Sequence, residues 1–272
     1  MDGSGFARAY PQVVENKQSV EAEPGGEDGT QANNLAYTGL PLQFHTDLPH
    51  YSSPPQVQLL HCISQTSCPG GSNKLVDGFA VAEELRREDP EAFRLLATVR
   101  MEYKDFHRET IWDAGPGGDD ASDGAVFGGR PNNDTPRIGQ RREVGFFLRH
   151  AHPVISLEDP EAWQTSPVRR INFSDHHRDS VINGCDAATV KAFYHACKRF
   201  DSLLNDDKHV VWNKSGPGDI LCFDNRRVLH GRSGFKLQGG DTRKLIGTYL
   251  RWDEIRSMAR MQAAAVFPDR LL

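Results

Sequence analysis

A histidine and an aspartate stand two residues apart at the end of an apolar, extended run, LPLQFHTD over residues 40–47. Side chains two apart on a strand point to the same face, so the imidazole of His45 and the carboxylate of Asp47 would converge on one point. Two histidines and one carboxylate are the ligand set that holds non-haem Fe(II) and leaves positions open for other ligands. His230, in FDNRRVLH over residues 223–230, is the candidate third ligand.

The spacing alone is weak evidence for a metal site. A second match occurs at His177 and Asp179, and a His-x-Glu match at His107 and Glu109, both in polar surroundings. An isolated His-x-Asp pair is most simply a solvated turn. The metal interpretation therefore depends on the sequence that surrounds His45.

Composition and charge limit the function classes. A net charge of −5, with both signs interspersed along 272 residues, provides no basic stripe for nucleic acid. The apolar runs are too short to span a bilayer, and the N-terminus carries no apolar signal segment. We expect no nucleic-acid or membrane partner; the sequence leaves a homodimer open.

The cysteines indicate the compartment. There are five, scattered along the chain and never in a C-x-x-C pair. This pattern argues against a zinc ribbon and a disulfide framework and favours a reducing environment. We expect a cytoplasmic protein, or a mitochondrial one if the true N-terminus is missing.

The order of the elements predicts a mainly β fold with flanking helices, an antiparallel sandwich or barrel, since short strands dominate and no βαβ alternation is present. Residues 1–31 lack hydrophobic periodicity and are expected to be flexible. Residues 32–272 form one domain, with a Gly/Asp-rich surface insertion at about 113–142. Helices are predicted near 79–87, after Asp89 and after Asp186.

Several stretches, taken together and in order, carry a resemblance to a known family. They are ANNLAYT (32–38), FHTD (44–47), PPQVQLLHC (54–62), LVDGF (75–79), RINF (170–173), PGDILCFDNRRVLHGR (217–232) and RKLIGTY (243–249). The chain resembles the 2-oxoglutarate- and Fe(II)-dependent oxygenases of the taurine dioxygenase superfamily, and most closely the branch that hydroxylates γ-butyrobetaine to L-carnitine. The trimethyllysine branch shares several of these stretches. The resemblance implies a double-stranded β-helix (jelly-roll) core.

Carried over position by position, the resemblance makes His45, Asp47 and His230 the iron ligands. It makes Arg243, thirteen residues after His230, the partner of the 2-oxoglutarate C5 carboxylate. A planar guanidinium can hold a carboxylate through two parallel hydrogen bonds. Asn73 stands where relatives often carry a hydroxyl residue near the same carboxylate. The implied cofactors are Fe(II), 2-oxoglutarate and O2, with ascorbate as reductant.

The implied substrate is a small quaternary amine held by aromatic faces through cation–π attraction. Tyr37 and Tyr249 match two positions of that aromatic cage, and Asn34 matches a residue that contacts the substrate carboxylate. Ser174 occupies the position of a substrate-contacting asparagine, and Leu48 that of a tyrosine. The aromatic residues expected upstream of residue 32, and the small N-terminal zinc-binding domain of the family, have no counterpart in this sequence.

These departures leave three hypotheses open. The first is a γ-butyrobetaine dioxygenase. The second is an oxygenase for trimethyllysine or another small amine or acid, since Leu48 and Ser174 predict weakened γ-butyrobetaine binding. The third is a catalytically idle, truncated homologue that binds metal without substrate-stimulated turnover.

Overall fold

The computed structural model describes residues 10–12, 38–112, 141–237 and 242–266. For residues 10–12, 107–112, 141–144, 146 and 264–266 only the backbone is described. The chain divides into two compact units, one formed by residues 1–104 and 149–272 and the other by residues 105–148.

The described residues are mainly β with a few helices, as predicted. The strands are β1 (Tyr10–Gln12), β2 (Leu42–His45), β3 (Val57–Ser64), β4 (Asn73–Asp77), β5 (Arg100–Trp112), β6 (Arg141–Pro153), β7 (Ile155–Leu157), β8 (Val168–Ile171), β9 (Val211–Asn213), β10 (Ile220–Asp224), β11 (Val228–Arg232) and β12 (Lys244–Leu250). The helices are α1 (Gly78–Glu88), α2 (Pro90–Thr98), α3 (Ala187–Leu204) and α4 (Trp252–Val266).

Two four-stranded sheets lie in the larger unit. One has the strand order β1-β12-β3-β10 and the other β2-β11-β4-β9. The paired strands of these sheets run antiparallel, and most partners are distant in sequence, such as β3 with β10 and β12. This antiparallel arrangement fits the predicted sandwich or barrel, whereas the jelly-roll topology stays a prediction.

The helix starts follow their sequence signals. Asp89 caps α2 by accepting a hydrogen bond from the backbone N–H of Ala92, with Pro90 as the first helical residue. Asp186 caps α3 through the N–H of Thr189. Both predicted starts are confirmed.

One apolar face of α3 forms part of the core. Its buried side chains, Phe193, Phe200, Leu203 and Leu204, belong to the same core as those of α1 and α2, the two helices that α3 packs against. Burial of such side chains is the main stabilising term in folding. The helices therefore support the strands from one side and carry no predicted chemistry.

Two predicted segments lie largely outside the described residues. The segment 1–31, expected to be flexible, is described only at Tyr10–Gln12, which pair with β12. The insertion expected at about 113–142 is described only at its last two residues, which belong to β6. Over the described ranges, no helix has the length and apolar character needed to cross a membrane.

Candidate metal centre

His45 and His230 face each other across two paired strands. In the antiparallel ladder of β2 and β11 they are direct partners. Gly231 allows the close approach, because a Cβ at that position would lie 2.6 Å from the carbonyl oxygen of Leu42. Asp47 follows β2, and its Oδ1 lies 3.3 Å from Nε2 of His45 and 3.6 Å from Nε2 of His230. The structure thus brings together the three side chains that the sequence predicted as ligands.

The imidazole of His45 is fixed in one tautomer. Its Nδ1 donates a 2.8 Å hydrogen bond to the carbonyl of Gln43, which leaves Nε2 as the ring atom directed at Asp47 and His230. A second-sphere bond of this kind orients a metal-binding histidine. The ring is therefore prepared to donate through Nε2.

Burial and mutual charge set the protonation of the three groups. Burial and the neighbouring charge of His45 lower the pKa of His230 to about 3, so that ring is neutral. Burial alone would raise the pKa of Asp47, but its electrostatic interaction with His230, the hydrogen bond and charge of His45, and the hydrogen bond from Tyr249 hold it well below its usual range. Burial likewise opposes a charge on His45, whereas Asp47 raises its pKa. Asp47 is thus a carboxylate acceptor facing two imidazoles.

The second oxygen of Asp47 is held by two donors. Gln58 on β3 donates through Nε2 over 2.5 Å, and Tyr249 on β12 donates its hydroxyl over 2.6 Å, both to Oδ2. Because Oδ2 is occupied in this way, Oδ1 is the oxygen presented to the histidines. The two bonds fix the carboxylate for one-oxygen ligation.

The backbone of Asp47 is also supported. Asn225 accepts a 2.8 Å hydrogen bond from its N–H and donates one of 3.0 Å to its carbonyl. The next residue, Leu48, has a φ of +56°, a left-handed conformation that a leucine rarely adopts. The chain thus turns sharply behind the carboxylate, and Asn225 holds that turn in place.

The donor set fits a divalent transition metal. One ligand atom from each of His45, Asp47 and His230 can be chosen so that all lie within 4.8 Å of one another. Metal–ligand bonds of about 2.1 Å at right angles would separate neighbouring donors by roughly 3 Å, close to the two distances from Oδ1. Two neutral imidazoles and one carboxylate on one side of an ion are the facial set expected for Fe(II).

Arg243 is buried a short distance along the chain from β11. Only 3 % of it is exposed, and burial lowers its pKa to about 10. Its Nη2 contacts Oδ1 of Asn73 at 3.4 Å, and Asn73 in turn donates to Ser215. It forms no ion pair within the described parts of the chain. A buried guanidinium without a carboxylate is costly, so this site is suited to an anionic ligand.

The remaining predicted residues have mixed outcomes. Asn34 and Tyr37 lie outside the described residues, so their predicted contacts with substrate stay predictions. Ser174 is buried, and its hydroxyl lies 2.9 Å from Nδ1 of His177. In the second His-x-Asp match, Asp179 pairs with Lys104, as a solvated turn would allow.

The family model for the taurine catabolism dioxygenase TauD, TfdA family matches residues 4–249. The chain belongs to this family. It is 34% identical over 235 residues to gamma-butyrobetaine dioxygenase of Homo sapiens, covering 86% of this chain and 50% of that protein. It is 29% identical over 228 residues to mitochondrial trimethyllysine dioxygenase of Gallus gallus, covering 84% and 44%. The chain thus spans about half the length of the curated relatives it matches.

One solved structure has a fold similar to that of this chain. A structure of asparagine oxygenase in complex with Fe(II), 2S,3S-3-hydroxyasparagine and succinate aligns with a TM-score of 0.50 at 18% identity, covering 83% of this chain and 54% of that one. At this identity the similarity concerns the fold alone.

Sequence reasoning missed two supports of the candidate centre in this TauD/TfdA chain. Gln58 is 2 % exposed within β3, so a polar side chain inside an otherwise largely apolar run was an available signal. Asn225 follows a strand directly, where its side chain resembles that of an ordinary turn residue. No local pattern marks it as a partner of Asp47.

Proposed function

We propose that this chain is the catalytic part of a 2-oxoglutarate- and Fe(II)-dependent dioxygenase. The observation that carries the proposal is the convergence of His45, Asp47 and His230 in a chain of the TauD/TfdA family. We assign these three side chains to Fe(II), through Nε2, Oδ1 and Nε2. When bound, Fe(II) supplies oxidative decarboxylation of 2-oxoglutarate by O2, to succinate and CO2, coupled to hydroxylation of a C–H bond.

Arg243 is proposed to bind the C5 carboxylate of 2-oxoglutarate. Its depth and its lack of an ion-pair partner within the described ranges support this role, since a bound carboxylate would supply the missing charge. Asn73 contacts the guanidinium and is proposed to orient it. Together they would place the cosubstrate at the end of the β4–β11 pair.

The proposed substrate is γ-butyrobetaine, with L-carnitine as product. Similarity to gamma-butyrobetaine dioxygenase over most of this chain supports this choice. The atoms balance: one oxygen atom of O2 enters the new hydroxyl group and the other enters succinate. Tyr249, Tyr37, Asn34 and Ser174 are the proposed substrate contacts, and ascorbate is proposed as the reductant that maintains Fe(II).

Trimethyllysine is the second candidate substrate. The similarity to trimethyllysine dioxygenase at 29% identity favours it as an alternative. Both candidates carry a trimethylammonium group, so an aromatic cage would accept either. They differ at the opposite end, where trimethyllysine bears an additional amine.

The deciding experiment measures succinate from 2-oxoglutarate after O2 is admitted to anaerobically iron-loaded protein. γ-Butyrobetaine, trimethyllysine or no substrate is added in parallel, and hydroxylated product is quantified. Succinate coupled to carnitine supports both chemistry and substrate. If succinate forms only together with hydroxytrimethyllysine, the assigned substrate becomes trimethyllysine.

A matched variant tests the metal assignment in the same assay. Asp47→Ala removes one ligand and should abolish succinate formation, whereas His195→Ala, an exposed histidine on α3, should leave it unchanged. Full turnover in Asp47→Ala would refute the assigned centre. Wild-type protein that binds Fe(II) yet forms no succinate would favour the idle homologue.

A further inference from the structure

A second cleft in the larger unit is lined by basic side chains. It has a volume of about 520 Å3, within the range of roughly 300–1,000 Å3 that is typical of small-molecule sites. The side chains that define this basic cleft are Arg100, Arg169, Arg170, Arg226, His150 and His152. None of the candidate iron ligands, and neither Arg243 nor Asn73, lies in its lining.

The positive charge of the basic cleft is only partly neutralised. Arg226 forms two hydrogen bonds with Asp224, of 3.0 and 2.7 Å, and Arg169 pairs with Glu158 at the exposed edge. The lining itself, as far as the chain is described, contains no acidic side chain. Of the four arginines that line the cleft, two remain without an ion pair to an acidic side chain of the described residues.

Arg170 and Arg100 are these two residues. The buried Nε of Arg170 has no hydrogen-bond partner, and over the described ranges the side chain forms no ion pair. Burial, followed by the charge of Arg226, lowers the pKa of Arg170. Arg100 donates to a main-chain carbonyl, that of Ala151, and forms no ion pair with the residues that the structure describes. Asp224 offsets the positive charge of the cleft only in part, since it also raises the pKa of Arg170. Gathering more positive than negative charge costs free energy, and a bound anion would recover that cost.

The cleft is assembled from four separate parts of the chain. Arg100 begins β5, the two histidines lie at the end of β6, and Arg170 lies on β8. Arg226 lies in the turn between β10 and β11. Because strands and a short turn fix these positions, the guanidinium groups are held in place and suit a compact ligand with several negative groups.

We propose that the basic cleft binds a small multivalent anion, one that carries neighbouring phosphate or carboxylate groups. Arg170 and Arg100 bind it directly, and Arg226 supplies further positive charge from its pair with Asp224. The site is separate from the proposed 2-oxoglutarate site, because Arg243 lies outside its lining.

The test is isothermal titration of the full chain with pyrophosphate and with citrate at constant ionic strength, so that general screening does not change. Saturable binding of one equivalent is expected. Arg170→Gln and Arg100→Gln should each weaken it at least about tenfold, the loss expected for one charge-assisted hydrogen bond. Arg94→Gln, an exposed arginine on α2 that pairs with Glu91, is the control and should bind as the wild type does.

The outcomes separate the sources of the anion. Preference for pyrophosphate assigns a phosphate ligand, and equal or stronger binding of citrate assigns a carboxylate ligand. The proposal would be overturned if the chain showed no saturable binding in the millimolar range, or if both cleft variants bound the anion as tightly as the wild type does. Binding that is confined to a long polymer such as heparin would also overturn it. Arg100 is exposed, so Arg100→Gln is expected to fold. This variant therefore tests the proposal even if Arg170→Gln unfolds.

Discussion

Tyr249 donates its hydroxyl to Oδ2 of Asp47 over 2.6 Å, although the two residues are 202 positions apart in the chain. The resemblance assigned Tyr249 to a substrate cage, a role of its ring that stays a prediction. Its hydroxyl has a different partner, the carboxylate of a candidate iron ligand. One side chain therefore connects the proposed substrate pocket to the candidate metal centre.

Removing this hydroxyl tests its positioning role. Tyr249→Phe keeps the ring and should weaken Fe(II) affinity about tenfold or more, the range seen when a group that orients a metal ligand is lost. Equilibrium Fe(II) titration under anaerobic conditions measures the effect. Tyr194→Phe on α3, whose hydroxyl contacts Arg178, is the control. Unchanged iron affinity, with only a higher KM for the amine, would assign Tyr249 to the cage alone.

Metal binding should stabilise the folded chain. An ion that binds only the native state adds about 2.7 kcal/mol to the free energy of unfolding when its concentration is a hundredfold above Kd. Urea unfolding with Mn2+, a redox-stable probe, and with excess chelator measures the difference. His45→Ala should abolish it, whereas His195→Ala should retain it. A stabilisation that survives in His45→Ala would place the ion elsewhere.

Arg243→Met tests the proposed cosubstrate site. Loss of a buried charge pair should raise the KM for 2-oxoglutarate about a hundredfold. The variant should be as stable as the wild type or more so, because a buried guanidinium without an ion pair is replaced by an apolar side chain. Steady-state succinate assays and thermal unfolding give the two readouts, with exposed Arg251→Met as control. An unchanged KM would exclude Arg243 from the site.

Asp77 links α1 to the turn before β11. It caps the helix through the N–H groups of Phe79 and Ala80 and pairs with Arg227. Partial burial would raise its pKa, but the bonds from Arg227 and the helix lower it below 3.8. Asp77→Ala should cost about 1 kcal/mol for the lost cap, with less than about 1 kcal/mol more from the exposed ion pair.

The sign of the pH dependence follows from that lowered pKa. The stabilisation by Asp77 is complete above pH 3.8, its value in the unfolded chain, and is lost as the pH falls through the lower native pKa. Urea unfolding of wild type and Asp77→Ala should therefore differ at pH 7, and the difference should shrink as the pH falls below 3.8. Asp207→Ala is the control. A difference that persists at low pH would assign the effect to packing.

The sequence predicted features that depend on neighbouring residues, but it did not predict contacts between residues that are distant in the chain. The caps Asp89 and Asp186 act within three residues, so their patterns were sufficient. The His45–Asp47 pair was also predictable, since strand geometry aligns residues two apart. Gln58 and Asn225 reach Asp47 only because β3 and the β10–β11 turn come beside it in the fold, and no local spacing encodes that.

Because His45 and His230 are paired in the ladder of β2 and β11, the sheet fixes the distance between these two candidate ligands. The spacing of the two imidazoles is set by the backbone ladder, in which partner Cα atoms lie about 4.5–5.5 Å apart, and does not depend on an ion. The histidines cannot be separated by a hinge, because that would require breaking the strand pair. The spacing of the two histidines is therefore fixed before an ion binds, and ions too large or too small for that spacing are disfavoured.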